Sequence, residues 1–430
     1  MVYILWDASD IWGPLAVWGV KGLGASYTIV RGKDIAEGIL HRKTSDILLV
    51  PGGFGRHKGQ ALGEKGRDAV RAFVAAGGTY IGFCGGAGLA LADDGGLALC
   101  PWRRAGYTNR IQHYMSGHFY VSPASDAATE LAFPQSRERN TKESGKAWPQ
   151  LPVWWPGRFA PTEGGGVTTL AAYGDPGPDF WLADMPVSTL PQGIFADWEE
   201  KYGFSPTPSF MRGEPCVVSG RYGEGRYVLA YAHLETPESP EANAWLAHIL
   251  AHLGGEPRYD SVPAWNLQHP VAVWDDSGLA AIWDDLALVL EAGMSAGLFF
   301  ARSSWLFGWR TGIPGAVLNT VRSHVHTIRA IAPSRMALRF WNDRKGALVP
   351  AFNLFARSAQ SYLFAERLAM TLAKDLPEAL TPEKLLVERA IVFGASGMAA
   401  HTGGLLGDML PFFDELALLQ LQADAAGGGL

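Results

Sequence analysis

The apolar run Thr79-Tyr80-Ile81-Gly82-Phe83 leads straight into Cys84-Gly85-Gly86, and a helix-like Ala87-Gly88-Leu89-Ala90-Leu91-Ala92 follows. A strand that enters a glycine-flanked turn and leaves it as a helix has few backbone solutions. Small residues on both sides of Cys84 permit a strained turn that lifts its side chain above a sheet. Two further apolar runs, residues 2–6 and 46–50, read as strands, and Val70, Phe73 and Val74 have helical spacing within residues 66–76. Continuous apolar strands alternating with helices predict a parallel sheet covered on both faces.

At 430 residues the chain exceeds one ordinary core and predicts two or three domains. Between residues 100 and 212 Pro, Gly and Trp are frequent and helical periodicity fades. Residues 137–146 are polar and read as a loop, 167–173 as a strand, and 186–212 as a long insertion. Residues 215–219 and 226–231 form a hairpin around Gly223-Glu224-Gly225, and 240–253 a closing helix. Gly254-Gly255-Glu256-Pro257 marks a boundary, so the expected domains are residues 1–254 and 255–430. Beyond it strand signals nearly vanish. Residues 279–291, 316–331, 352–376, 382–393 and 405–422 suit helices, with Thr381-Pro382 as an N-cap and first helical residue. An all-α bundle is expected there, with a frayed tail over 425–430.

Three places have chemistry in reach. Cys84 at the turn would be an exposed thiol whose thiolate a helix start stabilises, although such a turn also suits a buried structural cysteine. His233-Leu234-Glu235 follows the strand at 226–231, and side chains two apart on an extended segment point the same way. A base and its orienting carboxylate can then face one site, while the bland alternative is an exposed loop. Pro51-Gly52-Gly53 ends the second strand, where glycine lets backbone amides approach a ligand, or simply makes a turn.

Together these signals resemble class I glutamine amidotransferase domains, and more closely the amidotransferase-like domain at the N-terminus of some biotin–protein ligases. The resemblance rests on Val50-Pro51-Gly52-Gly53, on Leu62-Gly63-x-x-Gly66 through Phe73-Val74-x-x-Gly77-Gly78, and on Tyr80 to Ala87 around Cys84. It continues in Tyr222-Gly223-x-Gly225-Arg226 leading to His233-x-Glu235, and so covers residues 1–254. It implies a flavodoxin-like α/β sandwich with a β-rich insertion, followed by the all-α domain. It also implies Cys84 as nucleophile, His233 as general base, Glu235 as its orienter, and the backbone around Gly52, Gly53 and Gly85 as oxyanion and substrate-binding groups. The sequence departs from the pattern in two ways. Gly85-Gly86-Ala87-Gly88 carries no glutamine-type side chain after the nucleophile, and no glycine- and arginine-rich ATP loop of the ligase kind is found. The implied activity is therefore cysteine-dependent hydrolysis or transfer at a C–N amide bond of a small molecule. The alternative is a ligand-binding or redox-sensing module that keeps the turn without turnover.

Composition narrows the partners. A net charge of −6 with both signs interspersed offers no concentrated basic face, so nucleic acid is not expected. Three cysteines without a C-x-x-C pair argue against a disulfide framework or structural zinc and for a reducing, cytoplasmic setting. The best membrane candidate, residues 292–309, is broken by Arg302, so no membrane partner is expected either. No cofactor and no metal are expected, since His324 and His326 diverge on a helix. Arg322, His326 and Arg329 share a helical face that suits an anion, solvent or an interface. The helical domain is the candidate surface for a second copy or another protein.

Overall fold

The computed structural model describes residues 1–40, 46–106, 108–123, 130–134, 148–163, 165–269, 271–310, 313–394 and 403–427. The polar stretch 137–146 and the last residues of the expected tail lie outside them. The chain divides into two compact units, Met1–Ala264 and Trp265–Leu430.

The first unit is a mixed α/β structure on one large sheet. It opens with β1 (Val2–Leu5), α1 (Trp12–Gly22), β2 (Tyr27–Val30), α2 (Gly32–Ala36), β3 (Ile47–Val50), α3 (Gly55–Ala75), β4 (Thr79–Phe83) and α4 (Gly85–Leu89). α3 is two helices joined at Gly63, whose φ of 61° breaks the helical run. Then come β5 (Arg103–Arg104), β6 (Met115–Pro123), β7 (Gln150–Trp154), β8 (Phe159–Ala160), β9 (Val167–Pro176), β10 (Trp181–Leu182) and β11 (Met185–Pro186). α5 (Ile194–Tyr202), β12 (Pro215–Tyr222), β13 (Gly225–Ala230) and α6 (Pro240–His252) complete it.

The sheet runs β11-β10-β6-β9-β12-β13-β4-β3-β1-β2, with β7 paired to β6. From β13 to β2 every pairing is parallel; from β13 outward through β12, β9 and β6 every pairing is antiparallel. The expected β-rich insertion thus extends the parallel sheet instead of forming a layer of its own. β1, β3 and β4 are buried at every residue, which is why they read as unbroken apolar runs. One face packs Leu48, Val50, Tyr80 and Leu229 against Phe73 and Val74 of α3 and Ala87 and Leu89 of α4.

The first unit continues past the Gly254 expected from the glycine-rich junction. Residues 255–264 fold back on it, because the Arg258 and Tyr259 amides donate to the Leu23 carbonyl and the Pro263 carbonyl accepts from the Trp18 indole at 2.9 Å. Glycine and proline at 254–257 mark a turn within the unit.

The second unit is helical: α7 (Ser277–Ser295), α8 (Gly315–Arg329), α9 (Arg335–Asn342), α10 (Lys345–Leu372), α11 (Pro382–Phe393) and α12 (Gly404–Ala425). It is not purely α. β14 (Phe299–Ala301) and β15 (Phe307–Trp309) form a small antiparallel hairpin. Asn319 of α8 fastens it, accepting from the Phe307 amide and donating to the Phe307 carbonyl. Two buried amide side chains thus hold irregular backbone here, for Gln420 of α12 does the same work beyond α8. It donates to the carbonyls of Ile328, Ile331 and Ala332 and accepts from the Ser334 amide, satisfying groups a helix end leaves open. No described helix is long and apolar enough to cross a membrane.

Candidate active site

The parallel strands β3, β4 and β13 are neighbours, with Val50 opposite Gly82 and Ala230 opposite Phe83. Their carboxyl ends therefore release the Pro51 loop, Cys84 and the 231–235 segment side by side, the edge at which open α/β sheets place ligands. Residues distant in the chain meet because the strand order brings β13 beside β4.

Cys84 sits between β4 and α4 with φ 48° and ψ −106°. A non-glycine residue at positive φ costs on the order of 1–3 kcal/mol and persists only where its surroundings impose it. Three bonds impose it here. The Cys84 amide donates to the Ala230 carbonyl at 2.8 Å, and its carbonyl accepts from Gly88 at 3.0 Å. The buried Tyr80 hydroxyl donates to the Gly86 carbonyl at 2.7 Å. The thiol is partly exposed, whereas Cys100 and Cys216 are buried.

His233 and Glu235 are both fully buried. His233 Nδ1 lies 2.8 Å from Glu235 Oε1. The remaining nitrogen, Nε2, is buried without a well-formed hydrogen bond, and so is Glu235 Oε2. Burial pushes the imidazole toward neutrality. The Glu235 carboxylate, its hydrogen bond to Nδ1 and the neighbouring Cys84 together outweigh it and lift the ring to about 10. The segment is clamped from outside: the His233 amide donates to Pro152, and Asn243 donates to the carbonyls of Leu234 and Thr236. Trp12 of α1 lies over the imidazole, centroids 4.3 Å apart, and Trp155 meets Trp12 edge-on at 5.9 Å.

The glycines explain how closely the loops meet. A methyl on Gly52 would lie 2.6 Å from His233 Cε1. One on Gly85 would lie 2.7 Å from the Gly53 carbonyl carbon, and Gly53 itself has φ 104°. Gly85 is the first residue of α4, so its amide has no acceptor within the helix. α4 has only five residues, so local amides count for more here than a helix dipole.

Other polar and aromatic side chains of the first unit have structural partners. Lys58 is buried and donates to the Asp7 carbonyl and, at 2.5 Å, to the Ser9 hydroxyl, which takes it away from any substrate carboxylate. Asp7 accepts from the Gly32 amide at 2.6 Å and Ser9 donates to the Leu5 carbonyl, so both tie the β1 turn. Trp154 donates to the Thr236 hydroxyl and is core. Among the described residues no group of three metal-ligating side chains forms.

Sequence reasoning missed Trp12, Asn243 and Tyr231. The Tyr231 hydroxyl is buried without a partner, within the electrostatic reach of Arg104 and Cys84. β13 ends at Ala230 and the backbone bends at Tyr231 and Ala232, so spacing alone does not place this hydroxyl.

Two consequences are measurable. Iodoacetamide at neutral pH is expected to label Cys84 while Cys100 and Cys216 stay unmodified, since burial pushes both of the latter thiols up and removes them from solvent. Peptide mapping would contradict this by showing equal labelling of all three or an inert Cys84. The second concerns His233. A ring raised from 6.5 to about 10 stabilises the fold in full below about pH 6.5 and loses that contribution as pH rises through about 10. The His233 Cε1–H resonance should keep its cationic shift through neutral pH and titrate near 10, and Glu235→Gln should move the midpoint down. A wild-type midpoint at 6.5 or below would show that burial wins instead.

The first unit is thus an α/β structure whose sheet edge sets a partly exposed cysteine beside a buried His–Glu pair. Over residues 26–93 the chain is similar to the biotin-protein ligase N-terminal domain family. That stretch includes Gly52, Gly53, Cys84 and Gly85 and ends well before His233 and Glu235. A search among curated proteins found no match.

Proposed function

We propose that the first unit is a flavodoxin-like, class I amidotransferase-type domain that cleaves or transfers at the C–N amide bond of a small molecule. The observation that carries this reading is the buried 2.8 Å His233–Glu235 contact beside a cysteine held at φ 48°. It provides a nucleophile, a base and an orienter in one place.

A cationic imidazole beside a thiol favours the thiolate. Cys84 Sγ attacks the amide carbon, and the carbonyl oxygen gains negative charge in the tetrahedral intermediate. Amides near Gly53 and Gly85 would hold that oxygen. His233 gives its proton to the leaving nitrogen, the C–N bond breaks, and a thioester remains on Cys84. Neutral His233 then takes a proton from water as the water oxygen attacks the thioester. The acid leaves, and thiolate and imidazolium are restored. Glu235 holds Nδ1–H throughout and keeps the ring aimed. Gly85 to Gly88 offer no amide side chain to hold glutamine, which favours a different small amide. Trp12, Trp155 and the Tyr231 hydroxyl supply an aromatic wall and one donor. The free thiols suit a reducing compartment such as the cytoplasm.

The test is a panel of small primary and secondary amides, read by released ammonia or amine and by the intact mass of the protein. An acyl increment on Cys84 with a reactive amide is expected. No increment with any amide, together with reversible oxidation of Cys84 by peroxide, would assign the site to redox sensing instead.

A further inference from the structure

Helix α8 carries Arg322, His326 and Arg329 on one face, at spacings of four and three residues. Arg322 and His326 are each only 7 % exposed. Buried cations in proteins are ordinarily paired with a carboxylate or saturated with hydrogen bonds. Arg322 has neither among the described residues, and burial alone brings its guanidinium down to about 10 with no acid to offset it.

His326 tells the same story. One edge of its ring bonds to the Asn266 backbone, and Nδ1 is buried with no partner. Burial, then Arg322 and Arg329, push it down to about 4, which favours the neutral ring. Arg329 lies 5.8 Å over the Trp283 ring, and its Nε is also buried without a partner. Trp265 and Trp283 both flank the imidazole at 6.4 Å. Two guanidinium groups and one open ring nitrogen converge on the same place, with no carboxylate beside them among the described residues.

We propose that Arg322, His326 and Arg329 form a binding site for the oxyanion group, phosphate or carboxylate, of a small molecule whose apolar body rests against the partly exposed Trp283. Guanidinium forks match the paired oxygens of either group. A bound anion would let Nδ1 take a proton and donate to it. The partly exposed Trp283 ring suits a flat apolar body better than a bare ion. The site lies wholly in the second unit and is independent of the chemistry assigned to Cys84.

The experiment is thermal melting of the full chain in sodium phosphate and in sodium benzoate, each against sodium chloride of equal ionic strength. A saturating rise is expected, about 5 °C or more at a hundredfold excess over Kd. A response to phosphate only, or to benzoate only, assigns the oxyanion's source, and a response to both supports the shared chemistry. Arg322→Met should melt in chloride at or above the wild-type temperature, because an unpaired buried cation is removed, and should lose the anion response. Arg329→Met should weaken the response about tenfold in apparent Kd. Several outcomes would overturn the proposal: no rise beyond chloride with either anion, a response that survives Arg322→Met, or an Arg322→Met protein that melts lower in chloride. The last would mean that the guanidinium serves the fold and not a ligand.

Discussion

Cys84→Ala is expected to reduce amide turnover to background, a loss of roughly 10⁴-fold or more in kcat, while substrate binding stays largely intact because the pocket walls are unchanged. His233→Ala should cost about as much, since the general acid that protonates the leaving nitrogen is gone. Glu235→Gln should cost less, on the order of 10³-fold, because Glu235 makes and breaks no bond and only holds Nδ1 from 2.8 Å. The losses should not add: Cys84→Ala with His233→Ala is expected to be no worse than either alone, because each breaks the same unit. Steady-state kinetics on the most reactive amide of the panel measures all four. A Cys84→Ala protein with wild-type turnover would remove the nucleophile from the mechanism.

Gly85→Ala is expected to unfold or strongly destabilise the first unit. Its new methyl would lie 2.7 Å from the Gly53 carbonyl carbon and nearer still to the oxygen, and this neighbour is backbone that cannot rotate aside. The two loops cannot separate easily either, because β3 and β4 are paired in register up to Val50 and Gly82. Overpacking usually costs 1–3 kcal/mol, and against fixed backbone about 3 kcal/mol or more is expected. For a unit of this size that lowers Tm by roughly 6–12 °C. Gly88→Ala is the control: nothing lies within 4 Å of its added methyl, and a helical glycine exchanged for alanine tends to gain up to about 1 kcal/mol. Equal melting of the two variants would show that the Gly53 loop does not press on the Cys84 turn.

Much of the parallel half of the sheet is legible in the sequence. Residues 2–5, 47–50 and 79–83 are buried on both faces, so each is a continuous apolar run that no helix of the same length would need. α1 escapes notice for the opposite reason. Trp12, Leu15, Ala16, Val17, Gly19 and Val20 are buried nearly all round, so no polar stripe marks the helix. β6 does carry the alternation of a strand, with Met115, Gly117, Phe119 and Val121 buried, but it is set among prolines and glycines that read as loop. In the second unit α7, α8, α10, α11 and α12 show by period, whereas the eight-residue α9 is not among the expected helices and the β14–β15 hairpin has three-residue strands, too short for any period to register.

The candidate site divides the same way. That Cys84 ends a strand on a glycine turn follows from local pattern, whereas His233 and Glu235 meet across a turn, closed by the Thr236 amide on the His233 carbonyl, and not along the extended segment expected of them. That His233 lies beside Cys84, that Trp12 covers its ring, and that Gly85 faces Gly53 depend on which strands pair and which loops touch. Those are contacts between residues far apart in the chain, and no local period encodes them. The face of Arg322, His326 and Arg329 is likewise visible from spacing alone. Whether it meets water or is buried without a counter-charge depends on what packs around α8, and there tertiary structure places tryptophans at its middle and no carboxylate among the described residues to pair Arg322.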